Sequence, residues 1–231
     1  MATLLPPPVG SPAQECVVLL HGLCRTSRSM KPMAAALRES GYQVLNLDYP
    51  SRAAAIDQLS ENVVGQAVAK CHRATKMHFI AHSMGGILVR SYFTRHSANK
   101  VGRVVMLGPP NQGSELVDRF GGSSLFFLIN GQAGTELGTG SAALPNCLGV
   151  PDYCVGIIAG NRSINWINSL FIPGPDDGKV SVERTKLRGM TDHIVIPTTH
   201  PFIMRNPEVI RQTEWFLRCG KFDQERRIHR A

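Results

Sequence analysis

The stretch Phe79-Ile80-Ala81-His82-Ser83-Met84-Gly85-Gly86 limits the possible folds of this chain more than any other. An apolar run over 77–81 enters it, and a helix-patterned segment, Ile87-Leu88-Val89-Arg90-Ser91-Tyr92-Phe93, leaves it. A small-x-Ser-x-Gly turn between a strand and a helix bends the backbone so sharply that the serine oxygen stands clear of the sheet. Small residues belong two before and two after the serine, because the strand and helix backbones nearly touch there. Ala81 and Gly85 fill those places, with Gly86 beyond. Ala81 stands where glycine is usual, and one methyl still leaves room. Ser83 is therefore the candidate nucleophile.

Strand and helix patterns alternate on both sides of this turn. Runs at 16–20, 43–48, 77–81, 101–107, 154–159 and 194–196 read as strands. Ser29 reads as the cap of a helix through about Glu39, ended by Gly41. Ile56, Leu59, Val63, Ala67 and Cys71 recur at helical spacing, and a further helix runs from Met84 to about His96. Pro207 opens a terminal helix with Val209, Thr213, Phe216 and Leu217 on one face. Six strands separated by helices predict a parallel, doubly wound sheet with helices on both faces. A chain of 231 residues with ordinary hydrophobic content fits one domain over 1–231. The pattern loosens over 111–153, where Leu125-Phe126-Phe127-Leu128-Ile129 lies between glycine-rich stretches. That segment reads as a lid or substrate-facing insertion, or as a short core helix with a surface loop.

Several classes are disfavoured. No apolar run approaches the ~20 residues of a membrane helix, and residues 1–8 lack the basic and apolar regions of a signal peptide. A cytoplasmic location is therefore expected. The six cysteines show no CxxC and no metal-ligand spacing. Cys16 and Cys71 fall on apolar faces and are expected as buried thiols. Cys147 and Cys154 flank a loop that a disulfide could close, against the plainer reading of two reduced thiols. The net charge of +8 is spread along the chain apart from a tail cluster, Arg226-Arg227-Ile228-His229-Arg230. No nucleic-acid module accompanies it, so no nucleic-acid partner is expected. A basic surface favours anionic membranes or acidic substrates, or serves solubility alone.

A serine hydroxyl needs a base to take its proton, and the base must be held in one tautomer. In a sheet of this kind the partners follow in the order Ser, Asp or Glu, His, at the carboxyl ends of strands. Of the eight histidines, His72, His78, His96 and His229 fall on helices, a strand start or the tail. His82 neighbours the serine and reads as a packing residue, while His193 precedes the last strand at the wrong edge. His200 follows that strand and is the candidate base. Asp177, in Pro175-Asp176-Asp177-Gly178-Lys179-Val180, is the candidate acid, with Asp176 the alternative. Asp48 and Asp118 break the expected order or spacing; Asp57 and Asp152 read as a solvated face and a turn. Two backbone N–H groups should meet the developing oxyanion: Met84, opening the helix after the serine, and Leu23, in the His21-Gly22-Leu23 loop after the first strand. His21 reads as the residue that orients this loop.

Together, Leu20-His21-Gly22, Ala81-His82-Ser83-Met84-Gly85-Gly86, Asp177-Gly178-x-Val180 and His200 resemble the α/β-hydrolase superfamily, most nearly its small bacterial lipase and esterase members. The likeness covers about 15–219. It implies an α/β-hydrolase fold and hydrolysis of carboxylic esters, lipids among them, through an acyl-enzyme formed on a Ser83-Asp177-His200 triad. The resemblance also implies a small-molecule ester or lipid substrate, no cofactor and no metal, with peripheral membrane contact as a further expectation. The same framework serves thioesterases, acyltransferases and some non-catalytic ligand-binding proteins.

Overall fold

The computed structural model describes residues 14–164 and 166–224. The N-terminal residues read for a leader, the basic tail cluster and His229 lie outside them. The elements follow in the order β1 (Glu15–Leu20), α1 (Lys31–Glu39), β2 (Gln43–Leu47), α2 (Ile56–Lys70), β3 (Lys76–His82), α3 (Met84–Arg95) and β4 (Val101–Leu107). After β4 come α4 (Glu115–Phe120), α5 (Ser124–Thr135) and α6 (Leu144–Cys147). The chain closes with β5 (Cys154–Gly160), α7 (Trp166–Ser169), α8 (Val182–Thr185), β6 (Asp192–Ile196) and α9 (Pro207–Cys219).

The strands form one six-stranded sheet in the order β2-β1-β3-β4-β5-β6, with every neighbouring pair parallel. Burial on both faces explains why the strands read as apolar runs and not as alternating ones. On one face Val18, Leu20, Phe79, Ala81, Val104 and Met106 pack with Ile56, Val64, Ile87 and Leu88 of α2 and α3. On the other, Val17, Leu19, Ile80, Val105 and Ile158 pack with Met33, Leu37, Phe216 and Leu217 of α1 and α9. The chain steps outward from β1 to β2, then returns to lay β3 on the other side of β1. The crevice beyond the ends of β1 and β3 is thus the topological switch point, where open sheets of this type bind ligands. Leu23 and Ser83 follow those two strand ends.

Two local expectations are corrected. Ser29 does not cap α1. It lies in a 3-10 turn, Ser27–Met30, where its hydroxyl donates to the Thr26 carbonyl at 2.8 Å. The α-helix starts at Lys31 with Pro32 in its first turn, a place that needs no N–H donor. Cys16 and Cys71, expected as thiols, are joined in a disulfide, whereas Cys147 and Cys154 are free. Gly41 behaves as read, with φ 90° just beyond the end of α1. Among the described residues, no helix is long and apolar enough to cross a membrane.

At one place the sheet and α9 leave no room for a side chain. A Cβ on Gly156 would lie 2.5–2.7 Å from the Phe216 ring, itself fully buried. Replacing Gly156 with valine is expected to cost about 1–3 kcal/mol through overpacking. Urea unfolding should show a lowered midpoint, and an unchanged one would refute this packing account.

Candidate active site

At the strand-to-helix turn, Ser83 adopts φ 54° and ψ −124°, a conformation that non-glycine residues avoid and that costs of order 1–3 kcal/mol. Neighbouring backbone holds it there. The Ser83 N–H donates to the Leu107 carbonyl of β4 at 2.9 Å, and its carbonyl accepts from Gly86 N–H at 3.0 Å. The demand for a small residue at Gly85 comes from β1: a Cβ there would meet the Leu20 and His21 carbonyl oxygens at 3.0 Å. Gly86 likewise faces Met106 at 3.2 Å.

The loops after β5 and β6 bring the remaining candidates to Ser83. His200 Nδ1–H donates to Asp177 Oδ2 at 2.7 Å, which leaves Nε2 to accept from the Ser83 hydroxyl at 3.1 Å. His200 and Asp177 are buried, and the backbone also ties them: His200 N–H donates to the Asp177 carbonyl at 2.9 Å. Asp177 Oδ1 accepts from the N–H groups of Lys179 and Val180 at 3.0 and 2.9 Å. Asp176 turns the other way. Its Oδ1 accepts from Gly178 N–H and the Ser169 hydroxyl at 2.7 and 2.8 Å, so it shapes the turn that presents Asp177.

Met84 is the first residue of α3, where the N–H has no acceptor within the helix. Leu23 borders the cavity beside Ser83. Its loop is pinned on both sides: Tyr49 OH donates to the His21 carbonyl at 2.5 Å, and Cys24 N–H donates to Ser51 Oγ at 3.0 Å. The His21 ring stacks on Tyr49, its centroid 4.0 Å away, and its Nε2 accepts from Tyr49 N–H. That bond leaves Nδ1–H to donate to the Gly22 carbonyl at 2.9 Å. His82 supports His200 from behind: its Nε2–H donates to the His200 carbonyl at 3.1 Å. His193 lies in β6 with its ring 3.0 Å from Thr185 Oγ1.

Two glycines at the ends of strands, Gly108 and Gly160, also shape the site. Gly108 has φ +55°, and a Cβ on it would lie 2.9 Å from Asp177 Oδ2 and 3.3 Å from His200 Nδ1. At Gly160 a Cβ would meet the Thr198 carbonyl at 2.5 Å and Asp177 Cβ at 2.9 Å. The available signal was a glycine closing each of two adjacent buried strands.

Ser83 and His200 open into a cavity of about 260 Å³. Residues after β4 supply much of its wall, including Leu116, Val117 and Leu137. From α5, Phe126 and Asn130 face the cavity one helical turn apart, and Gly134 joins them from beyond the break at Gly131. The apolar run at 125–129 contributes little to this wall. Leu125, Phe127, Leu128 and Ile129 are 50–75% exposed, and Phe126 alone of the five lines the cavity. Among the described residues, no cluster of His, Cys, Asp or Glu could hold a metal ion.

Sheet order, elbow and site geometry together define an α/β hydrolase. The chain belongs to the family described as serine aminopeptidase, S33, whose model matches residues 11–128. A solved structure of a Bacillus licheniformis lipase in its mature form is 20% identical, with a TM-score of 0.71 over 93% of this chain and 96% of that one. A metagenomic carboxyl esterase is 17% identical, with a TM-score of 0.69 over 86% and 68% of the two chains. The phospholipase PlaB of Legionella pneumophila, in complex with thio-NAD, is 18% identical, with a TM-score of 0.68 over 89% of this chain and 58% of that one. At these identities the likeness establishes the fold. A search of curated proteins returns no match.

Two measurements check this geometry. Gly108→Ala should disturb the His200–Asp177 bond, and the NMR signal of the His200 Nδ1 proton should shift or vanish; an unmoved signal contradicts the close approach. The second concerns pH. Burial is the leading cause that lowers the pKa of His21, of His82 (to well below the ordinary 6.5) and of His78 (to about 4). The unfolded chain then binds more protons than the native one, so stability rises with pH across this window. From pH 6.5 downward, stability should fall by up to about 1.4 kcal/mol per pH unit for each imidazole. Glu15 and Glu214, raised by burial, act in the opposite sense nearer their ordinary 4.5. Thermal midpoints that stay flat from pH 7 to 5 would contradict the buried neutral imidazoles.

Proposed function

We propose that this protein is a serine hydrolase of carboxylic esters. The observation that carries the reading is the unbroken run of hydrogen bonds from Ser83 through His200 to Asp177 at the floor of a cavity. In this reading His200 takes the Ser83 proton as the oxygen attacks the ester carbonyl. Asp177 holds the ring in the required tautomer and stabilises the imidazolium that forms. The N–H groups of Leu23 and Met84 meet the oxyanion, each worth roughly 100- to 1000-fold in rate. His200 then gives the proton to the departing alcohol, and water releases the acid from the acyl-enzyme by the same relay.

Electrostatics favours an ester over an amino-terminal peptide. An aminopeptidase must hold a free ammonium, which calls for an available carboxylate. Asp177 is the carboxylate among the described cavity-lining residues, and both its oxygens are engaged. The names of the structural neighbours (lipase, carboxyl esterase, phospholipase) point the same way. Exposed apolar side chains at Leu125, Leu128, Ile164 and Trp166 support lipid-like substrates and a peripheral contact with lipid surfaces.

The test is turnover of p-nitrophenyl esters with fluorophosphonate labelling and peptide mapping. Wild type should hydrolyse the ester and carry the label on Ser83. Ser83→Ala and His200→Ala should each lose about 10⁶-fold in kcat, and Asp177→Asn about 10⁴-fold. Full activity in the Ser83 or His200 variant would end the assignment.

A further inference from the structure

The cavity above Ser83 carries an imbalance of charge that the triad chemistry does not use. Among the described residues that line it, Arg25 and Lys179 are the permanent cations. Arg25 follows the Leu23 loop, and Lys179 follows the Asp177 turn, so the two come from loops that each carry part of the reactive centre. Within the described residues neither side chain has an ion pair or a hydrogen bond. The carboxylates of the Asp177 turn are committed elsewhere. Asp177 serves His200 and two backbone N–H groups, and Asp176 serves Gly178 and Ser169. Asp48, in the groove next to Arg25, spends Oδ1 on Ser27 N–H at 2.8 Å.

Lys179 is exposed to solvent, so the cost of the imbalance falls on Arg25. Arg25 is partly buried, and its guanidinium pKa is pushed down by burial first and by Arg205 second. His82, in the wall of the same cavity, has its pKa lowered by burial first, with the cations Arg25 and Lys179 acting in the same direction. A partly desolvated cation with no counter-charge is costly, and an anion entering the cavity would be its partner. Guanidinium and ammonium groups both suit carboxylate and phosphate oxygens, the guanidinium through its planar fork of donors.

We infer that the substrate is an ester bearing an anionic group, a carboxylate or phosphate, which Arg25 and Lys179 hold while Ser83 attacks the ester carbonyl. The inference rests on the ester-hydrolase reading and narrows its substrate class. The apolar wall receives the acyl chain, and the two cations receive the charged end. The positive field also draws anionic esters toward the mouth, an effect that salt screens.

Matched substrate pairs test it. One pair is p-nitrophenyl valerate and its ω-carboxylate counterpart, mono-p-nitrophenyl glutarate. The other is dibutanoylglycerol and dibutanoylglycerol 3-phosphate, so that the two arms separate carboxylate from phosphate. In each pair the readout is the ratio of kcat/KM for the anionic over the neutral ester. Wild type should favour the anionic member of at least one pair, with the preference shrinking as ionic strength rises. Arg25→Gln and Lys179→Gln should each lower that ratio about tenfold, the size of one charge-assisted hydrogen bond. Arg25→Lys, which keeps the charge, should retain part of the preference. Fluorophosphonate labelling of each variant reports that its site is assembled. Turnover of neutral esters with no anionic preference in wild type, or a ratio unmoved in labelled variants, overturns this inference and leaves the hydrolase reading standing. No turnover of either member together with no labelling of Ser83 overturns both.

Discussion

The first turn of α3 runs so close to the end of β1 that a single methyl at Gly85 would press on two backbone carbonyls. Everything at the site depends on that approach. It forces the chain to reverse within a residue or two, and the reversal drives Ser83 into its left-handed conformation. The hydroxyl then projects out of the sheet instead of packing into a face of it. The strain is local, and it is contained by the hydrogen bond from Ser83 N–H to β4 and by the apolar burial of α3 on one face of the sheet.

Around this fixed point, the remaining groups are positioned by backbone more than by side-chain packing. The loop after β5 closes through Asp176, which orders the turn, and Asp177 then points inward with one oxygen saturated by N–H groups. The loop after β6 hydrogen-bonds to that same turn through His200 N–H. Geometry among Ser83, His200 and Asp177 is therefore a property of the ends of β3, β5 and β6, with β4 between the first two, and Gly108 after β4 and Gly160 at the end of β5 keep the space between them free. Burial of His82 and His21 as neutral rings adds support beneath the site without adding charge.

Much of this was legible from the residues. Strands buried on both faces announce themselves as continuous apolar runs, and β4 was read to its exact bounds, Val101–Leu107. The turn at Ser83 was legible because its steric demand falls on nearby positions in the chain. Contacts between distant segments were harder. Cys16 and Cys71 are separated by 55 positions, and nothing in their local pattern says that the end of α2 returns to the start of β1. The orientation of the segment at 125–129 is hidden for another reason. A helix apolar on nearly every side gives no direction, so which residue faces the cavity is decided by where Gly131 breaks the helix, at φ 65° against the Arg52 carbonyl. The role of Gly108 is hidden in its local sequence, because it makes space for atoms contributed by the loops after β5 and β6.

The wall of the cavity and the groups at its floor come from separate parts of the chain. The floor belongs to the carboxyl ends of the sheet, where even a methyl group collides with backbone. Much of the wall belongs to α4, α5 and the residues that follow them, which rest on the sheet without being threaded through it. Replacement of Phe126, Leu116 or Leu137 alters the shape of the space offered to a ligand while leaving untouched the carbonyls and glycines that hold Ser83 and His200. The shape of the cavity can thus change residue by residue over a Ser83–His200–Asp177 geometry that stays constant.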